Sequence, residues 1–153
     1  MIYIIILSSI CIFLYSSMLI WFIVGNLINK ASITNSRLEP ISVIIAIRNG
    51  EKSLPKLINN LKSQDYKGPI EFILVDDDSE DDTKKIINNI VKDDLRFKYQ
   101  SSQNGNDNLN HKKRALDAGI KISQYEWLLF TDVDCNFKIN WISSMAKYFT
   151  EKK

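Results

Sequence analysis

Three groups of polar side chains recur at one kind of place in this chain, directly after an apolar run. Arg48-Asn49-Gly50-Glu51 follows ISVIIAI (41–47), Asp76-Asp77-Asp78-Ser79 follows IEFILV (70–75), and Asp132-Val133-Asp134 follows EWLLFT (126–131). Carboxylates gathered at one edge repel each other unless a cation offsets them. Their oxygens suit Mg²⁺ or Mn²⁺, which keep waters and commonly bind substrate phosphates. The chemistry suggested is a divalent-metal site for a phosphorylated ligand, above all a nucleotide. A basic cluster, His111-Lys112-Lys113-Arg114, opens a helical stretch. Cations there oppose the helix dipole, and a nearby diphosphate relieves that conflict. Each group also has a plain reading. Asp76 to Asp82 can be a solvated turn that caps a helix, and Asp132 and Asp134 can be turn residues. Arg48-Asn49 can be a simple turn and the basic cluster a solvated face. The common position at strand ends is what favours a site. His111, the single histidine, lacks metal-ligand spacing and reads as a bystander.

The elements that must position these groups alternate. The β-branched run 41–47 has the pattern of a strand buried on both faces. Leu54, Leu57, Ile58 and Leu61 then recur at helical spacing after Ser53, with Pro55 in the first turn, where its missing N–H is harmless. Tyr66-Lys67-Gly68-Pro69 closes that helix. A second strand (70–75) leads through the acidic loop to a helix marked by Ile86, Ile87, Ile90 and Val91. A weaker strand at 96–100 and a polar loop at 101–110, expected to be mobile, come next. A third helix is packed around Ala115, Leu116, Ala118, Gly119 and Ile122; the strand 126–131 and a last helix (Trp141, Ile142, Met145, Ala146, Phe149) complete the series. Strands separated by helices imply an α/β fold with a mostly parallel sheet. In such sheets ligands bind beyond the carboxyl ends of the strands, where the three polar groups stand.

The chain of 153 residues carries 20 Lys+Arg against 18 Asp+Glu, a net charge of +2, so nucleic acid is not an expected partner. No charged residue precedes Lys30. Residues 2–24 (IYIIILSSICIFLYSSMLIWFIV) would span about 34 Å as a helix, enough for a bilayer core of about 30 Å. Ser8, Ser9, Ser16 and Ser17 are tolerated because their hydroxyls bond back to the helix. A secretory signal would need a basic start and a small-residue cleavage site, which are missing here. The expected organisation is a transmembrane helix at 2–24, a polar linker at 25–40 and an α/β domain at 41–153. Lys30 and Arg37 follow the helix, so the positive-inside tendency places the domain in the cytoplasm of a single-pass membrane protein. Cys11 and Cys135 are too separated in context to form a disulfide framework.

Four segments, in order, resemble the family 2 glycosyltransferases, nucleotide-sugar enzymes with the Rossmann-like GT-A fold. ISVIIAIRNGEKSLPKLINNLKSQDY is similar to their opening strand, loop and helix. IEFILVDDDSEDDTKKI resembles the V-D-D-x-S-x-D-x-T signature, HKKRALDAGI the G-K-x-x-A-L-x-x-G segment, and EWLLFTDVDC the strand that ends in the D-x-D motif. The resemblance implies that Ala46, Arg48 and Glu51 line the nucleotide pocket and that Asp76 and Asp77 contact the uracil and ribose side. It implies Lys112 near the nucleotide, Asp132 and Asp134 as the D-x-D pair, and Mg²⁺ or Mn²⁺ bridging the two phosphates. The donor would be a nucleotide sugar, with UDP-sugar favoured, and the acceptor a glycan or lipid-linked hydroxyl, with inversion at the sugar.

The sequence departs from the pattern at three positions. His111 replaces the usual glycine before the lysine, Asp117 stands for asparagine, and Asp78 fills a position often held by glycine or asparagine. Inverting members also use a later acidic general base, and processive ones a Q-x-x-R-W motif. The base is expected beyond Lys153, so the chain reads as a truncated, donor-binding half, with a partner chain as one source of the rest. The alternative is a non-catalytic, membrane-anchored nucleotide-binding remnant or subunit. A haloacid-dehalogenase phosphatase fits poorly, because its D-x-D lies in the first strand. A receiver domain fits poorly too, because its acidic pair follows the first strand.

Overall fold

The computed structural model describes residues 1–28 and 38–149, which fall into two units. The expected linker is therefore described only at its ends; its residues 29–37, with Lys30 and Arg37, lie outside the described residues, as do Thr150 and Glu151-Lys152-Lys153.

The first unit is one helix, α1 (Ile2–Ile28). It runs past residue 24, because nothing between Val24 and Ile28 (Gly25 included) forces a stop. Its segment Ile2–Gly25 has a mean hydropathy of 2.2 and is long and apolar enough to cross a membrane. Three of the four serine hydroxyls bond back to the helix: Ser8 and Ser9 donate to the Ile5 carbonyl at 2.8 and 2.9 Å, and Ser17 to that of Leu14 at 2.8 Å.

The second unit alternates strands and helices. In chain order it contains β1 (Ile41–Ile47), α2 (Leu54–Lys62), β2 (Ile70–Asp76), α3 (Thr83–Asp93), β3 (Phe97–Ser101), α4 (Lys112–Ile122), β4 (Trp127–Asp132) and α5 (Trp141–Ala146). The strands form one sheet in the order β3-β2-β1-β4, and every pair is parallel. The most apolar strand thus takes an interior place. Ile41, Val43, Ile44, Ile45 and Ile47 of β1 are all buried, which is what a continuous β-branched run requires.

The two faces of the sheet carry separate cores. Val43, Ile45, Phe72, Leu74 and Leu129 pack with Leu54, Leu57, Ile58 and Leu61 of α2, Ile87 of α3 and Ile142 of α5. On the other face Ile44, Ile73 and Val75 meet Ala115 and Ala118 of α4. Small residues on α4 let it lie close. A Cβ on Gly119 would stand 2.5 Å from Ile44 Cγ2, a distance no real side chain tolerates, so glycine is required for this approach.

Two helices differ from their expected extents. α2 stops at Lys62, ahead of the Tyr66–Pro69 turn, and α5 stops at Ala146. Phe149 still joins the core, stacked on Trp127 with centroids 4.2 Å apart. The loop after β3, expected to be mobile, carries several bonds to α4. It holds a 3₁₀ turn, Ser102–Asn104; the Asn106 amide donates to Asp117 at 2.7 Å, and Arg114 binds the Gln103 carbonyl and Asp107.

At the amino-terminal edge, Glu71 of β2 is 3% exposed. It accepts from Ser42 Oγ at 2.5 Å and from the Gln124 amide at 2.7 Å, and it pairs with Lys98 at 2.6 Å. Burial alone would raise its pKa. The bonds from Lys98, Ser42 and Gln124 outweigh burial and hold the carboxyl below its usual range.

Candidate functional site

The carboxyl-terminal edge of the sheet is where the polar groups converge. A cleft of about 250 Å³ is lined by Ala46, Ile47, Arg48, Asp77, Lys112, Asp132, Val133 and Asp134. The lining residues arrive from four elements. Ala46 and Ile47 end β1, Asp77 follows β2, Lys112 opens α4, and Asp132 ends β4 one residue before Val133. The register makes this assembly exact to one residue: Ala46 lies opposite both Val75 and Asp132, and Ile47 lies opposite Asp76.

Charge in the cleft is mixed. Arg48, Lys112, Asp132 and Asp134 are exposed, and Asp77 is buried. Lys112 Nζ forms an ion pair with Asp132 Oδ1. Asp132 and Asp134 line the same cleft and offer carboxylate oxygens, whereas no three His, Cys, Asp or Glu side chains converge as a metal site among the described residues. A two-carboxylate donor set fits Mg²⁺ or Mn²⁺, which bind through one or two carboxylates with waters and substrate phosphates. Any such ion has to share Asp132 with Lys112.

Six of the eight residues singled out in the sequence meet in the cleft: Ala46, Arg48, Asp77, Lys112, Asp132 and Asp134. Two do not. Asp76 is buried and does not line it; its Oδ1 accepts the Ser79 amide at 3.2 Å. Glu51 joins the loop after β2 instead: its amide donates to Asp81 at 3.1 Å, and its carboxylate accepts the Asp82 amide at 3.5 Å. Two further lining residues, Ile47 and Val133, escaped sequence reasoning, although each is the immediate neighbour of a residue that did not.

The loops after β1 and β2 are joined along their length. The Asp77 amide donates to the Ile47 carbonyl at 2.8 Å, the Asn49 amide to Ser79 Oγ at 3.0 Å, and the Glu80 amide to Asn49 Oδ1 at 2.9 Å. The Gly50 amide donates to Thr83 Oγ1 at 2.7 Å, in a buried position. The Thr83 hydroxyl, followed by the Thr83 and Glu51 amides, holds the Asp81 carboxyl below its usual range against the opposing effect of desolvation. Gly50 has no room for a side chain; its Cβ would meet Ile47 Cγ2 at 2.6 Å and Val133 Cγ2 at 3.2 Å.

Residues 42–153 match the model of the family described as Glycosyl transferase family 2. The chain belongs to this family. Among curated proteins, the GalNAc(5)-diNAcBac-PP-undecaprenol beta-1,3-glucosyltransferase of Campylobacter jejuni is 37% identical over 111 residues, covering 72% of this chain and 35% of that protein. Among solved structures, S. aureus TarS in complex with UDP is 29% identical, with a TM-score of 0.55, covering 70% of this chain and 31% of that one. The same protein in complex with UDP-GlcNAc is 28% identical, with a TM-score of 0.55. The mannosyltransferase PcManGT from Pyrobaculum calidifontis, solved with GDP-Man and Mn²⁺, has a TM-score of 0.64 at 18% identity, covering 74% of this chain and 33% of that one. That last likeness is one of fold. The family 2 chain described here spans about a third of the length of these relatives. The GT-A-like α/β fold expected from the four motif segments is the fold observed.

Proposed function

We propose that this domain binds the nucleotide-sugar donor of a glycosyl transfer reaction, with UDP-sugar as the donor class. The observation that carries the reading is the convergence of Arg48, Asp77, Lys112, Asp132 and Asp134 on one cleft at the carboxyl edge of a family 2 sheet. The UDP and UDP-GlcNAc complexes of TarS support the uracil nucleotide. Asp77, a buried lining residue, orients the nucleoside through its carboxylate. Arg48 and Lys112 lie where a diphosphate needs cations; Lys112 exchanges Asp132 for phosphate oxygens when the donor enters. Asp132 and Asp134 would hold Mg²⁺ or Mn²⁺, which when bound supplies Lewis acidity to the departing diphosphate. Both D-x-D carboxylates serve the donor in this reading, so neither is assigned as the acceptor base.

The acceptor is a glycan or lipid-linked hydroxyl attacked with inversion; the undecaprenol-linked substrate in the name of the Campylobacter relative supports the lipid-linked class. α1 anchors the chain in a bilayer, and the cations after it favour a cytoplasmic domain.

Calorimetric titration of the full chain in detergent with UDP, with and without Mn²⁺, tests the donor site. Binding should require the metal ion and weaken at least about tenfold in Asp134→Ala, the loss expected when one charged contact of about 1.4 kcal/mol is removed. Metal-independent binding of inorganic phosphate with no preference for UDP would overturn the reading. Metal-dependent UDP binding with no sugar transfer to any acceptor would favour a nucleotide-binding subunit.

A further inference from the structure

Three successive backbone amides, those of Asn49, Gly50 and Glu51, follow the strand that delivers Ala46, Ile47 and Arg48 to the cleft. A row of amides like this, with Asn49 at a positive φ of 51°, has the form of an anion-binding nest. Here each amide already has a partner from the loop after β2: Ser79 Oγ for Asn49, Thr83 Oγ1 for Gly50 and Asp81 Oδ2 for Glu51. The contact is returned by Asn49 Oδ1, which accepts the Glu80 amide at 2.9 Å. Thr83 is fully buried at the centre of this network. Its hydroxyl accepts from Gly50 and also reaches the Asp81 carboxylate. The nest is filled by the protein's own side chains, so it is closed to a ligand phosphate.

We propose that Asn49, Ser79, Asp81 and Thr83 form a clasp that fixes the loop carrying Arg48 against the loop carrying Asp77, and that they are positioning residues for the cleft. The acidic run 76–82 then divides by role. Asp77 faces the ligand cleft, Asp81 closes the clasp, and Asp76 braces the turn between them through the Ser79 amide. Glu51 belongs to the clasp as well, through Asp81 and the Asp82 amide. Arg48 and Asp77 approach the cleft from separate strands, and outside β1–β2 pairing the bond from the Asp77 amide to the Ile47 carbonyl is the direct link between their neighbourhoods. The side-chain clasp is what turns that single link into a fixed geometry.

The ligand arm of the test rests on the donor-site reading above; a second arm does not. The full chain in detergent is compared with Thr83→Val, which keeps the shape and removes the acceptor, with Thr83→Ser, which keeps the hydroxyl, and with Asn49→Gly, which keeps the backbone conformation and removes the side-chain bond. Hydrogen exchange is read without ligand. Amides at 49–51 and 77 should exchange about tenfold faster in Thr83→Val and Asn49→Gly, while Ile44 and Ile73 in the strand core stay protected. UDP affinity in the presence of Mn²⁺ should fall by about tenfold in the same variants, since a displacement of one contact loop misplaces both Arg48 and Asp77. Thr83→Ser should restore both readouts. Unchanged exchange at 49–51 and 77 would overturn the clasp. Faster exchange with undiminished UDP affinity would show a loop bond without a positioning role, and would overturn the proposal equally. If the unaltered chain fails to bind UDP, the donor-site reading fails, and the exchange arm alone decides whether the two loops are clasped.

Discussion

Among the described residues, Asn49, Asp78 and His111 are the non-glycine residues with positive φ, at 51°, 53° and 49°. All three sit at turns along the carboxyl edge, after β1, after β2 and at the start of α4. Asn and Asp enter this region more readily than other non-glycine residues. Asn49 accepts the Glu80 amide, and Asp78 accepts Gln103 Nε2 at 3.0 Å. His111 makes no such capping bond, and its ψ of −137° takes it into a region glycine favours. Two departures from the family pattern, His111 for glycine and Asp78 for glycine or asparagine, thus fall on backbones that favour those residues. Strain of this kind costs about 1–3 kcal/mol. Glycine's greater freedom in the unfolded chain offsets part of the gain, so His111→Gly should stabilise the domain by about 1 kcal/mol, seen as a higher midpoint in a thermal melt. An unchanged or lower midpoint would remove the case for strain. The same residues show the limit of motif reading. Residue type identified Asp77, Asp132 and Asp134 at the cleft, but it could not say that Glu51 turns toward Asp82 or that Asp76 is buried away from the lining. A carboxylate that meets a ligand and one that meets a neighbouring loop have the same letter and the same spacing.

At the scale of elements, periodicity located the strands to within a residue, because burial on both faces leaves β1 and β2 apolar without interruption. It overran α5, because Phe149 belongs to the core without belonging to the helix. It was silent on Glu71, which reads as a lone interruption in an apolar strand. Its partners are Ser42 on β1, Lys98 on β3 and the amide of Gln124 after α4, and only the three-strand register brings them together. The Glu71 carboxyl is held below its usual range, so its contribution is present above the unfolded value of about 4.3 and is lost as pH falls through the lower folded value. Glu71→Gln should cost about 2 kcal/mol at pH 7, judged by chemical denaturation, since it removes a charged partner from a largely buried Lys98 contact. The deficit should narrow as the pH falls below the unfolded value of about 4.3 and through the lower native one. A deficit that stays constant down to pH 2 would show that the charge is not what matters. This network lies at the sheet edge away from the cleft, so UDP affinity should stay near that of the unaltered chain at temperatures where both are folded.

At the scale of the whole molecule, the division into an apolar helix and a charged domain was plain in the sequence, since no charged residue precedes Lys30. The strand order was not. Alternating strands and helices imply parallel pairing, but they do not say that the last strand, β4, is laid beside the first, β1. That order has a consequence in time. Ile41 pairs with Ile70 on β2 and with Trp127 on β4. The first pairing closes a short stretch of chain, and the second must wait for nearly the whole domain. Long closures are slow, so β1, β2 and β3 should gain protection before β4 in pulsed hydrogen exchange during refolding. Simultaneous protection of all four strands would contradict that sequence of events. Asp132 ends the late strand and Asp134 follows it, while Arg48 and Asp77 directly follow the early ones. The cleft therefore comes into being only at the final docking step. A nucleotide added during refolding finds no complete site until then, so it should leave the early phase untouched and act afterwards, as a brake on unfolding.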